Sequence, residues 1–115
     1  SRDCKELSDA ILFSTFPEIG TVEEYRRFQL INKKVKLTRY GFDCYAYALL
    51  AMGMIDIVME AGLEAYDIQG PQALIEASGG LVSSWTGKNP QFGGTFLACG
   101  SKNIYDEIMS LLVRG

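Results

Sequence analysis

Residues 60–80 read Glu60-Ala-Gly-Leu-Glu-Ala-Tyr66-Asp67-Ile-Gln-Gly-Pro-Gln-Ala-Leu-Ile-Glu76-Ala-Ser-Gly79-Gly80. How this stretch divides decides the fold. Before it, Ile55 to Met59 (IDIVM) is a short apolar run of strand length. Within it, Asp67 to Ser78 reads as a helix, and Gly79-Gly80 is a stop that glycine supplies well. After it, Leu81 to Trp85 returns to strand character. This division puts Glu60 at a strand end and Asp67 at a helix start. Gly70-Pro71 then falls in the first turn, where the missing N–H of proline costs little. An acid at such a junction can cap the helix, hold a metal or orient a polar substrate.

Working outward, the same alternation continues. Ala10 to Thr15 (AILFST) reads as a short buried strand ended by Pro17. Thr21 to Asn32 reads as a helix opened by a capping box, Thr21 with Glu24. Val22, Tyr25, Phe28 and Leu30 or Ile31 supply its apolar stripe. Val35 to Tyr40 (VKLTRY) alternates as a strand does, and Gly41 breaks it. Asp43 to Met52 (DCYAYALLAM) is apolar almost all round, the mark of a buried helix, with Gly53 just past its end. Beyond Trp85 come a polar loop (86–94), a strand from Thr95 to Cys99, and a helix from Asn103 to Val113. Ile104, Ile108, Leu111 and Leu112 are the inward face of that helix. The expected fold is a single α/β domain over residues 1–115, with a mostly mixed central sheet and helices on both faces.

Composition narrows the chemistry. The chain has 115 residues, a formal net charge of −3, three cysteines and no histidine. Without histidine there is no Ser-His-Asp triad, no Cys-His dyad and no zinc site built on His. Any catalysis must rest on carboxylates, which prefer hard ions such as Mg²⁺. Cys4, Cys44 and Cys99 are unevenly spaced and odd in number, which fits reduced thiols in a cytoplasmic protein. Arg26, Arg27, Lys33, Lys34, Lys36 and Arg39 form a modest basic segment. It reads as a solvated helix face running into an edge strand, not as a nucleic-acid footprint. No apolar run is long enough for a membrane-spanning helix. No nucleic-acid and no membrane partner is expected.

The quoted residues resemble the C-terminal half of the inositol monophosphatase family, Mg²⁺-dependent phosphatases of sugar and alcohol phosphates. Three blocks carry the resemblance: Gly41 to Asp56 (GFDCYAYALLAMGMID), Glu60 with Asp67 at the family's spacing, and Tyr66 to Gly80 (YDIQGPQALIEASGG) followed by a strand, a Trp and a Gly-rich loop. Gln69 stands where the family usually has a small residue. GFDCYAYALLAMG is very like the histidinol-phosphate phosphatase branch. Inositol-cleaving members tend to carry a small residue where Asp43 stands.

The resemblance implies that Asp67 is a ligand of one Mg²⁺ in the complete enzyme, against the plain N-cap reading. It implies that Glu60 contacts a substrate hydroxyl or amine, against a solvated strand end. Asp43 is either a substrate contact or the N-cap of its helix. The family's other metal ligands lie upstream, in a glutamate-bearing loop and an Asp-Pro-Ile/Leu-Asp-Gly-Thr motif that this sequence lacks. The expectation is therefore half an enzyme: one metal ligand, a substrate-specificity wall, and no catalytic residue of its own. Such a half should be inactive alone, and the apolar face it exposes should make it a homo-oligomer. The alternative is a stand-alone binding module that keeps the fold without the chemistry. Among the remaining residues, Asp56 is expected to be a buried structural acid. Tyr45, Tyr47, Trp85 and Cys44 are expected in the core. Arg39 is a candidate partner for an acid or a substrate group.

Overall fold

A computed structural model describes residues 4–14, 21–41, 50, 52–63, 65–87 and 94–114, with the backbone alone at 62, 63, 65–69 and 114. Among the described residues five strands form one sheet: β1 (Ile11–Ser14), β2 (Leu37–Tyr40), β3 (Ile57–Leu63), β4 (Leu81–Ser83) and β5 (Gly94–Cys99). Their spatial order is β2-β1-β3-β5-β4. β1 runs parallel to β2 and β3, whereas β5 is antiparallel to both β3 and β4. The sheet is mixed, as the alternating sequence implies. Among the described residues three full α-helices accompany it: α1 (Val22–Asn32), α2 (Ala65–Ala77) and α3 (Lys102–Arg114).

Strand periodicity sends alternate side chains to opposite faces, and two cores result. Leu12, Ile57, Met59, Leu97 and Cys99 pack on one face with Phe28 and Ile31 of α1 and Ile104, Ile108 and Leu112 of α3. Phe13, Val58, Phe96 and Ala98 pack on the other with Leu50, Ile55 and Ile75 of α2. Helices thus cover both faces. In α1 only the C-terminal part of the expected stripe is buried: Phe28 and Ile31 are inaccessible, but Val22 is 89% and Tyr25 38% exposed. In α3, Ile104, Ile108 and Leu112 are buried as their spacing requires, and Leu111 is packed against them.

The helix ends follow their sequence signals. Thr21 and Glu24 make the reciprocal capping box at α1. Arg27 Nη1 donates to the Leu112 carbonyl at 2.7 Å, so a cation from α1 meets the last turn of α3. At the end of α2, Gly80 N–H bonds to Ile75 O and Gly79 N–H to Glu76 O, with Gly79 at φ 91°. This is the paired hydrogen-bond pattern of a Schellman stop. A Cβ on Gly80 would lie 2.7 Å from Ile75 Cγ2 and 2.9 Å from the Cys99 carbonyl, so the second glycine lets α2 return close against β5.

The expected 43–52 helix lies outside the described residues except at its end. There Leu50 is helical and fully buried, and Gly53 turns the chain at φ 81°. Tyr45, Tyr47 and Cys44 also lie outside them. Trp85 is core, 3% exposed, with its indole N–H on the Phe96 carbonyl. No helix among the described residues is long and apolar enough to cross a membrane.

Candidate functional site at the carboxyl ends of the parallel strands

Two sequence boundaries are corrected around the quoted stretch. The strand carrying Glu60 is β3, Ile57–Leu63, and not Ile55–Met59. Glu60 is therefore inside the strand, paired with Phe96 of β5, and only 6% exposed. The reading of Glu60 as a solvated strand end is overturned. The reason lies in the partner strand: β5 continues past Glu60 and supplies ladder partners as far as Gly94.

The helix that follows begins at Ala65, two residues before Asp67. Asp67 is therefore within the first turn and is not the N-cap. Pro71 is correspondingly a helix-interior residue and not a first-turn one. Its ring nitrogen cannot donate to the Asp67 carbonyl four residues back, so the first turns of α2 lack one of their regular hydrogen bonds. The chain rises into the helix earlier than the proline suggests, since only residue 64 separates β3 from α2.

Between Glu60 and Leu63 the β3–β5 register shifts. Three steps along β3, Glu60 to Leu63, face two steps along β5, Phe96 to Gly94. One residue of Ala61-Gly62 is thus extra, which is a β-bulge. A bulge re-aims the strand immediately before α2. The structure so places buried Glu60, the bulge and the N-terminal turn of α2 at one end of β3.

That end is also where β1 and β2 finish, because the three strands are parallel. After β1 the chain passes through α1 to β2 on one side. After β3 it passes through α2 to β4 and β5 on the other side. The adjacent pair β1 and β3 is therefore a topological switch point, and ligands of open α/β sheets bind outside the carboxyl ends at such points.

Ser14 is the last residue of β1. It is 3% exposed, and its buried Oγ has no hydrogen-bond partner among the described residues. Sequence reading missed it, because AILFST reads as a plain apolar strand. The bulge left a signal that could have been used, a glycine two residues after an acid in a strand pattern.

The other candidates separate. Asp43 lies outside the described residues. Asp56 precedes β3 and is fully buried, and its Oδ2 accepts the Ile11 N–H at 2.8 Å. Its own N–H donates to Ile11 O, and its carbonyl accepts from Gly100. It bridges β1, β3 and β5 at their far ends, which is the structural role expected. Cys99 lies beside it, fully buried. Burial, reinforced by the Asp56 carboxylate, pushes its thiol pKa far up, so it is no nucleophile. Arg39 is exposed and makes no ion pair among the described residues.

Among the described residues no three His, Cys, Asp or Glu side chains gather to hold a metal ion. Carboxylate oxygen is the right donor for Mg²⁺, but one carboxylate does not hold an ion that needs several anionic partners. These residues alone do not make a Mg²⁺ site, and no reaction step through the ion is derived from them.

Comparison with known proteins agrees with this geometry. The model of the inositol monophosphatase family matches residues 2–114. The bifunctional phosphatase IMPL2, chloroplastic, of Arabidopsis thaliana is 44% identical over 88 residues, covering 76% of this chain and 25% of that protein. Nus factor SuhB of Pseudomonas aeruginosa is 25% identical over 114 residues, 94% of this chain and 42% of that protein. Among solved structures, an inositol monophosphatase from Zymomonas mobilis superposes with a TM-score of 0.92 at 31% identity, over 98% of this chain and 46% of that one. The SuhB protein of Bartonella henselae, at 21% identity and a TM-score of 0.84, shares the fold. The chain thus spans less than half the length of these relatives. With the family model matched from one end of it to the other, the chain belongs to the inositol monophosphatase family.

Proposed function

We propose that this chain is the C-terminal half of a Mg²⁺-dependent phosphomonoesterase and forms the substrate-specificity wall of its active site. The observation that carries the reading is the placement of buried Glu60, a β-bulge and the first turn of α2 with Asp67 at the carboxyl end of β3, beside the switch point. In the family to which the chain belongs, carboxylates at such a place work on phosphate esters. Asp67 is read as one ligand of a Mg²⁺ whose other ligands come from outside these residues. When bound, such an ion activates water and neutralises charge on the leaving oxygen.

Glu60 and Asp43 are read as the contacts for the part of the substrate remote from phosphate. Two carboxylates there repel an anionic group and attract an amine. A charge-assisted hydrogen bond to an ammonium contributes about 1.5–3 kcal/mol, enough for roughly ten- to a hundredfold discrimination. A phosphate ester carrying a positive charge is therefore the preferred substrate, and histidinol phosphate is the first choice over inositol monophosphate. On this reading residues 1–115 alone are inactive, because preorganised metal catalysis needs the full ligand set.

The test uses the longest natural chain that carries this sequence. kcat/KM is measured for histidinol phosphate and inositol monophosphate with millimolar Mg²⁺, in the parent and in Asp43→Ala, Glu60→Gln and Asp67→Asn variants. The expected result is a preference for histidinol phosphate that shrinks about tenfold or more in the first two variants. Activity on both substrates should collapse in the third. Equal efficiency on both substrates overturns the substrate assignment. Full activity in Asp67→Asn overturns the ligand role.

A further inference from the structure

The helix that carries Asp67 is built in two unequal halves. Its C-terminal half is fixed. Ile75 is inaccessible in the core with Val58 and Phe96. The Gly79-Gly80 stop seats the helix end against β5, where a Cβ on Gly80 has no room. Its N-terminal half is weakened twice in succession. Pro71 lies inside the helix, so the Asp67 carbonyl meets no N–H four residues on. Gly70 precedes it, and glycine and proline are the two residues least favoured in a helix interior. The described residues do not require that glycine. Its φ lies outside the left-handed region, and a Cβ there meets no atom of theirs within 4 Å. On the other side of the first turn, β3 slips its register with β5 between Glu60 and Leu63, and only residue 64 precedes α2. Residues 65–69 are thus bounded by a break in the ladder and a break in the helix.

We propose that the first turn of α2 is a gate, hinged at Gly70-Pro71, that closes over a bound phosphate ester and opens to release the product. The proposal rests on the reading of Asp67 as part of the phosphate-ester site. Two helix-weakening residues in a row forfeit stability, and proteins give up local stability chiefly where a site has to move. Closures of this kind are absorbed by a few residues at element ends, and the weakest turns of a structure open first. The C-terminal half of α2 stays seated on the sheet during the motion. Glu60 stays in the β5 ladder, paired with Phe96. Opening therefore moves the backbone of Asp67 relative to Glu60, and closing brings the two carboxylate-bearing positions together around the substrate.

The experiment compares Gly70→Ala and Pro71→Ala with the parent in the longest natural chain that carries this sequence. Three quantities are read: the urea unfolding midpoint, amide exchange of Gln69 against that of Ile75 by NMR, and kcat and KM for histidinol phosphate. Alanine favours the helical first turn, so both variants are expected to unfold at higher urea. Exchange of Gln69 should slow about fivefold in Gly70→Ala and further in Pro71→Ala, with Ile75 much less affected. A gate held closed binds more tightly and releases more slowly, so kcat and KM should fall together, each by about two- to fivefold. A lowered midpoint in Gly70→Ala overturns the proposal, because the glycine then serves close packing against the rest of the chain. Unchanged exchange of Gln69 in both variants overturns it, because the turn was already firm. Slower exchange with kcat and KM unaltered also overturns it, because the turn then opens without gating the site. A parent that turns over no phosphate ester overturns the function itself, whereas an active parent with unaffected variants overturns the gate alone.

Discussion

The two ends of the parallel strands differ sharply. At the amino ends of β1 and β3, polar groups are tied down. Asp56 Oδ2 holds the Ile11 N–H, and Gly100 N–H reaches the Asp56 carbonyl. Ser101 Oγ donates to Cys4 O, and Glu107 accepts the Leu7 N–H. At the carboxyl ends, Ser14 keeps a buried hydroxyl with no partner among the described residues, β3 is bulged, and α2 starts with a proline in its second turn. Asp56 and Glu60 sit four residues apart in one segment, both buried, at opposite ends of this contrast. Burial of an acid therefore does not by itself mark function. What distinguishes the two is whether the acid closes a ladder or stands where the ladder gives way.

The contrast can be broken most forcefully at Asp56. Replacing it with Ala leaves the Ile11 N–H without its acceptor and opens space between three strands. The expected loss is about 3 kcal/mol in urea unfolding, with Asp56→Asn losing about a third of that. A loss under 1 kcal/mol for Asp56→Ala would mean the amino end is no better tied than the other.

Next in size is Gly80→Ala. Its Cβ would meet the Cys99 carbonyl and Ile75 at less than van der Waals distance, and backbone cannot swing aside. An expected loss of about 1–3 kcal/mol would place the α2–β5 closure among the rigid parts of the fold. A neutral result would show that α2 shifts on the sheet, loosening the turn that carries Asp67.

Ser14→Ala should have the opposite sign. Removing a buried hydroxyl that no group among the described residues satisfies is expected to raise stability by about 1 kcal/mol. A destabilised variant would show that the hydroxyl is satisfied in solution, and the carboxyl edge would lose its clearest sign of incompleteness.

Glu60→Gln should change stability by less than about 1 kcal/mol, since the amide keeps an acceptor oxygen in the same shape. If it costs as much as Asp56→Asn, Glu60 is a structural acid like Asp56, and the comparison collapses.

The smallest effect lies on the exposed face of α1. Hydrogen bonding from Arg26 holds the Glu23 carboxyl down at about 2, with Arg27 adding to it. A carboxylate depressed in the folded state contributes stability above its ordinary value, and that contribution is lost as pH falls from about 4.5 toward 2. NMR titration of Glu23 should move up toward the ordinary carboxylate range in Arg26→Ala, with Arg27 still holding it partly down, and the unfolding midpoint at neutral pH should change little.

Much of this was legible in the order of residues. The capping box at Thr21, the Gly79-Gly80 stop, the buried spacing of Ile104, Ile108 and Leu112, and the alternation of strands with helices are local patterns. They report backbone geometry and amphipathic period, which depend on neighbours along the chain. The absence of histidine and the family resemblance of residues 41–80 bounded the chemistry in the same way. Tertiary structure decided the rest. Glu60 lies inside a strand only because β5 runs past it, and Pro71 lies inside a helix because α2 starts directly after the bulge. The exposure of Val22 and Tyr25 at the start of an otherwise amphipathic α1, and the burial of the Ser14 hydroxyl, depend on what packs from distant parts of the sequence. Pairing register and burial are set by contacts between segments far apart in the chain, and a local pattern carries no record of which partner will arrive.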